Sequence, residues 1–181
     1  HRCLQICTKI RKFEAEIVQM VLSMLRAPAT GAGLLASGGS ESVILAMLSY
    51  RQWARSRGIS EPEIIITTTA HPCVEKAAFY FGIKLVAVEP DQKTFEFPVN
   101  ELPRLINANT IALYASAPNC THGVIDPIEK MAQIAKAHNI GLHVDNCLGG
   151  FLLSSLFNLG LVKKPFDFRV DGVTTISCDV H

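Results

Sequence analysis

Charge is scarce in this sequence. Its 181 residues include 17 Lys or Arg and 16 Asp or Glu, 18% in all, where about a quarter is usual. With a net charge of +1, no basic or acidic excess exists to recognise nucleic acid or an anionic membrane. The 49% hydrophobic share excludes intrinsic disorder, which needs the opposite balance. A dense cysteine framework is missing too. Cys3, Cys7, Cys73, Cys120, Cys147 and Cys178 are scattered through apparent helices and strands, so a disulfide-stapled secreted domain is excluded and free thiols are expected. Cys3 and Cys7 share a helical face, but no second Cys or His pair stands at zinc spacing, and no metal site is expected. Long apolar runs are also scarce. Residues 146–162 carry no charge, but Gly149, Gly150, Ser154, Ser155 and Asn158 interrupt them and the length barely reaches that of a membrane span; a buried loop and helix is expected. No basic segment followed by an apolar stretch opens the chain, so no signal peptide is expected.

The length suits one domain or a large piece of one. So little charge implies that some apolar surface is covered by a second subunit or by further polypeptide. Ile10, Phe13, Ile17, Met20, Val21 and Met24 recur at spacings of three and four, which predicts a helix over 9–25 with one apolar stripe. A small-residue segment follows, then a helix over 41–57 with Ser40 as N-cap and Gly58 just past its end. Beyond it strands and helices alternate. Strands are predicted over 63–69, 83–88, 110–116, 140–144 and 172–178, and helices over 72–81, 101–107 and 127–138. The last helix is opened by Asp126, with Glu129 at capping-box spacing. This alternation predicts an α/β fold: a mainly parallel sheet with helices on both faces. The division expected is an N-terminal helical segment, 1–30, and a ligand-binding domain, 31–181, incomplete at its C-terminal end because no polar tail follows the last strand.

In such a sheet ligands bind outside the strand C-termini. The residues there are Ala70 and His71, Ser116, Asp145 and Cys147, and finally Asp179 and His181. Ser37-Gly38-Gly39-Ser40 precedes a helix, whose free N–H groups and dipole favour an anion such as phosphate; a plain capped loop fits the same residues. Asp145 ends an apolar strand and needs a cationic partner, for which a protonated pyridine nitrogen would serve; it can equally cap the following loop. His71 can lie against a flat aromatic ligand or cap its helix. Cys147 has no local base to make it a nucleophile and can be a core residue. His138 and His143 read as structural.

Several stretches together carry a family resemblance. They are residues 36–42 (ASGGSES), Ala70-His71, residues 122–127 (HGVIDP), residues 143–151 (HVDNCLGGF) and residues 166–177 (FDFRVDGVTTIS). The chain resembles the large domain of fold-type I enzymes that use pyridoxal 5'-phosphate. Within the group II decarboxylase family it is most similar to the sphingosine-1-phosphate lyases. The resemblance implies that Gly39 and Ser40 hold the cofactor phosphate, His71 stacks on the ring, Asp145 pairs with the ring nitrogen, Cys147 lies against the other face, and His181 sits beside the phosphate. His71 and Asp145 would be the catalytic pair.

The activity implied is retro-aldol cleavage of a phosphorylated sphingoid base to a fatty aldehyde and phosphoethanolamine. The alternatives are an amino-acid decarboxylase or a non-catalytic fragment. In the family, the lysine that carries the cofactor directly follows the residue matching His181, so the 181 residues as written are expected to be inactive. Lys163 and Lys164 precede the last strand and are poor substitutes. Further departures are Ala36 and Ser40 where the family has Thr, Asn146 for Ala, and Val180 for Thr. A homodimer with shared sites is implied. So is location at the endoplasmic reticulum facing the cytosol for a eukaryotic enzyme, with any membrane anchor outside this segment, or in the cytoplasm otherwise.

Overall fold

A computed structural model describes residues 8–180. Cys3 and Cys7 lie outside the described residues. The first helix, α1, spans Thr8–Met24, and α2 spans Gly39–Ser56. The alternating part then runs β1 Glu63–Thr67, α3 Cys73–Phe81, β2 Lys84–Val88, a short 3-10 turn Val99–Glu101 leading into α4 Leu102–Leu105, β3 Thr110–Ser116, α5 Ile128–Ala137, β4 Gly141–Asp145, α6 Gly150–Asn158 and β5 Thr175–Ser177. The strands form one sheet in the order β2-β1-β3-β4-β5, and every pairing is parallel.

The three central strands β1, β3 and β4 are buried on both faces, as strands of parallel sheets are, and period-two alternation sorts their side chains. Leu113, Leu142 and Val144 pack with Met131 of α5 and Phe166 on one face. Ile64, Ile66 and Tyr114 pack with Val43 and Met47 of α2 and Val74 and Ala77 of α3 on the other. Each such side chain contributes about 1.5–3 kcal/mol on burial. The core therefore fixes the sheet and leaves the strand C-termini along one edge.

Three local expectations need correction. Ser40 is not the N-cap of α2; Gly38 holds that position, and Ser40 lies inside the first turn. Asp126 does not cap α5. Its buried carboxylate instead accepts the backbone N–H groups of Ser116 (2.8 Å) and Phe97 (2.9 Å), tying the end of β3 to the loop after β2. Residues 146–162 do form a loop and helix, but not a buried one, with Leu152 64% and Leu159 73% exposed. The α1 stripe is open as well, with Ile10, Phe13 and Met20 exposed and no buried residue in the helix. No helix among the described residues is long and apolar enough to cross a membrane.

Candidate active site

The sheet's C-terminal edge opens into a cleft of about 390 Å³. Gly39, Ser40, His71, Cys73, Ser116, Asn119, Asp145, Cys147 and Asp179 are among the residues that line it. Gly39, Ser40, His71, Asp145 and Cys147, proposed from sequence, are thus brought together. His181 lies outside the described residues. Lys164 turns away, paired with Glu96.

Each residue arrives by a simple route. β3 and β4 run side by side in register, with Tyr114 opposite His143 and Ser116 opposite Asp145, so β4 ends by delivering Asp145 to the cleft. Gly39 begins α2, where the first N–H groups have no intrahelical acceptor. A side chain here would force its neighbours to shift, because a Cβ would stand 2.7 Å from Asp179 Oδ1 and 2.8 Å from Cys147 Sγ. Glu41 folds back to accept the N–H of Ser37 at 2.5 Å, which closes the turn. His71 caps its helix and also lines the cleft. Its Nδ1 accepts the N–H of Cys73 at 3.2 Å, capping α3, while the exposed ring faces the cleft.

Asp145 is almost fully buried and accepts three donors from the protein. The Tyr114 hydroxyl donates to Oδ2; Cys147 N–H (3.1 Å) and Ser177 Oγ (3.3 Å) reach Oδ1. Burial raises its pKa, but the Tyr114 hydroxyl, the neighbouring His143 and the Cys147 donors outweigh that, and the carboxyl stays below its ordinary value. Asp145 is therefore an anion at neutral pH. Burial, then the Asp145 charge, push the Tyr114 hydroxyl well up, which keeps Tyr114 a donor. The same two causes, burial first, raise the Cys73 thiol to about 11 and the Cys147 thiol further. Cys147 is accordingly a protonated wall of the cleft and not a nucleophile. Sequence reasoning missed Tyr114, Ser177 and Asn119, whose Nδ2 is buried with no protein partner. Among the described residues no group of three or more His, Cys, Asp or Glu is placed to hold a metal ion.

Residues 6–181 match the pyridoxal-dependent decarboxylase conserved domain. The chain belongs to this family. It is 50% identical over 175 residues to the sphingosine-1-phosphate lyase of Saccharomyces cerevisiae, covering 95% of this chain and 30% of that protein. The sphingosine-1-phosphate lyase 1 of Rattus norvegicus is 46% identical over 173 residues, again 95% of this chain and 30% of the relative. The chain thus spans about 30% of the length of these curated relatives. Among solved structures, a sphingosine-1-phosphate lyase of Burkholderia pseudomallei superposes with a TM-score of 0.93 at 38% identity, over 98% of this chain and 43% of that one.

The cofactor of the family is pyridoxal phosphate, and the cleft suits it. A buried anion and a glycine-led helix start both line the cleft, and a buried amide donor, Asn119 Nδ2, has no partner in the protein. An aromatic cation with an anionic tail and polar ring substituents is the complement of that donor set.

Proposed function

We propose that the protein containing this chain is a pyridoxal phosphate-dependent carbon–carbon lyase. It would cleave a phosphorylated long-chain base between C2 and C3, releasing a fatty aldehyde and phosphoethanolamine. The observation that carries the cofactor chemistry is Asp145, an ionised carboxylate held by three donors at the C-terminal edge of the sheet. The substrate class rests on likeness to relatives named sphingosine-1-phosphate lyase.

When bound, pyridoxal phosphate supplies an electron-withdrawing ring that takes up the electron pair released at the carbon bearing the substrate's amine. Asp145 would pair with the ring nitrogen and keep it protonated. The backbone N–H of Gly39 and the backbone and hydroxyl of Ser40 would bind the phosphate. His71, fixed by its bond to Cys73 N–H, would cover one face of the ring, and Cys147 would close the other. His181 would stand beside the phosphate. The C3 hydroxyl proton leaves as the C2–C3 bond breaks, and C2 gains a proton in its place, so that aldehyde and amine account for every atom. The exposed apolar residues of α1 support packing against further polypeptide or a second copy, in keeping with a homodimer.

The test is to supply the full-length protein with a labelled phosphorylated sphingoid base and, separately, with labelled amino acids. Release of fatty aldehyde and phosphoethanolamine is expected. Carbon dioxide release from an amino acid, with no cleavage of the long-chain base, would replace the lyase reading with that of a decarboxylase.

A further inference from the structure

Asp145 is the end of a chain of hydrogen bonds that crosses the sheet. Ser177 Oγ lies 3.3 Å from Asp145 Oδ1 and 3.3 Å from His143 Nε2. His143 Nδ1 is 2.8 Å from Thr175 Oγ1. Thr175 Oγ1 is 2.7 Å from Tyr50 Oη, which is 2.6 Å from Thr174 Oγ1. Thr174 finally donates to the Leu142 carbonyl at 3.1 Å. The pleat makes this possible. His143 is paired with Thr175 and Asp145 with Ser177 across β4 and β5, so all four side chains emerge on one face. Tyr50 reaches them from α2 by lying against Gly141, where a Cβ would stand 2.9 Å from its Cζ.

Counting protons gives the chain a direction. An ionised carboxylate has none to give, so Ser177 donates to Asp145. Its single proton is then committed, and its oxygen must accept from His143, which places the imidazole proton on Nε2. His143 is fully buried, and burial lowers its pKa to about 4, so the ring is neutral and Nδ1 is bare. Thr175 therefore donates to Nδ1 and accepts from Tyr50. Tyr50 keeps its proton, since burial raises its pKa to about 12. The six contacts from Asp145 to the Leu142 carbonyl share five protons. The shortfall falls at Thr174, the exposed end, where water can make it up.

We propose that His143 is a positioning residue of the cofactor site: as its Nε2–H tautomer, seated by Thr175 and Tyr50, it holds the Ser177 hydroxyl in the one orientation that donates to Asp145. The opposite tautomer would draw the Ser177 proton toward the ring and turn an oxygen lone pair toward the carboxylate. The inference rests on the reading of Asp145 as the partner of the cofactor's ring nitrogen.

The test uses the full-length protein freed of cofactor and titrated with pyridoxal phosphate by equilibrium dialysis. His143→Leu fills the buried site without a donor and is expected to weaken binding about tenfold or more, as loss of a hydrogen bond serving a charged group does. His143→Gln keeps an amide N–H for Ser177 and is expected to recover most of that loss. A merely structural role would make Leu the better replacement in a buried position. Nitrogen-15 NMR of the histidine-labelled wild-type protein, read without cofactor, is expected to show His143 neutral and protonated on Nε2. Wild-type affinity in His143→Leu, no advantage of Gln over Leu, or an Nδ1–H tautomer would each overturn the inference. If the wild-type protein itself does not bind pyridoxal phosphate, the cofactor reading falls first and this inference with it, whereas a Leu variant matching a wild type that binds well refutes this inference alone.

Discussion

Replacing Asp145 by Asn removes one charge and almost no volume, so it isolates what the carboxylate contributes. In the variant, the amide oxygen can still accept Cys147 N–H and Ser177 Oγ, now 3.1 and 3.3 Å from Asp145 Oδ1. The amide nitrogen then faces the buried Tyr114 hydroxyl, which donates to Oδ2 in the wild type and must become an acceptor. Two effects on stability oppose each other: burial of the charge is relieved, and Tyr114 loses an anionic acceptor worth about 1.5–3 kcal/mol. Melting of the cofactor-free full-length protein should therefore move little. Cofactor affinity has no such compensation. One charge-assisted bond to the ring nitrogen is lost, about 1.5–3 kcal/mol, or roughly ten- to a hundredfold in Kd. Turnover should fall further, by about 10²–10³-fold, as when a preorganised electrostatic partner is deleted. Equilibrium dialysis gives Kd and single-turnover kinetics the rate. Adding Tyr114→Phe should restore any lost stability without restoring affinity, because the phenol serves the carboxylate and not the ring. An Asn variant that binds the cofactor and turns over like the wild type would refute the assignment of Asp145, and with it the cofactor orientation in the cleft.

Three further outcomes follow from the geometry. Burial raises the Asp126 pKa to about 6, only partly offset by the N–H groups of Ser116 and Phe97, against about 3.9 when unfolded. The folded state then binds more protons between about pH 4 and 6, so the stability this group adds is full below pH 4 and lost, by about 3 kcal/mol, as pH rises to 6. Urea unfolding of wild type and Asp126→Asn should diverge in that window, and parallel curves would contradict the shift. Gly39→Ala places a methyl 2.7 Å from Asp179 Oδ1 and 2.8 Å from Cys147 Sγ, so both side chains must shift. Cofactor Kd should rise while the melting temperature barely changes, and unchanged binding would show that the two side chains yield freely. Arg169→Ala strips the fully buried Asp167 of donors at 2.6, 2.8 and 3.0 Å and should cost about 3 kcal/mol; chemical denaturation showing under about 1 kcal/mol would place the pair among weak surface bridges.

How far the sequence could be read depends on which physical constraint each element obeys. β3, predicted over 110–116, is found at Thr110–Ser116, because a β-branched and apolar run buried on both faces leaves little choice of conformation. α1 and the Gly82 and Gly58 termini were legible for similar local reasons, the two glycines adopting φ of 62° and 75°. β5 is shorter than its composition suggests, Thr175–Ser177 instead of 172–178. Its Val173-Thr174-Thr175-Ile176 run has strand propensity throughout, yet Val173 N–H bonds back to Val170 and Gly172 takes φ 111°, so a turn claims the first residues. Asp126 misled for a comparable reason: capping-box spacing is local, but two distant N–H groups compete for the same carboxylate and win.

The site divides along the same line. Gly39, Ser40, His71, Asp145 and Cys147 could be gathered from sequence because parallel topology alone sends strand C-termini to one edge, whatever the register. Tyr114, Ser177 and the role of His143 could not, because they depend on which residue stands opposite which. One trace of them was nevertheless present. His143 and Asp145 on one strand and Thr175 and Ser177 on another are polar at alternating positions, with Val144 and Ile176 between them. Once shielded from water by the sheet, each such residue costs free energy unless it finds a partner. Two strands that bear the same offence with the same period satisfy each other only if they are neighbours in one register, and that register is the one observed. The polar exceptions in the core thus specify the pairing that the apolar residues leave open, and the same exceptions build the support under Asp145.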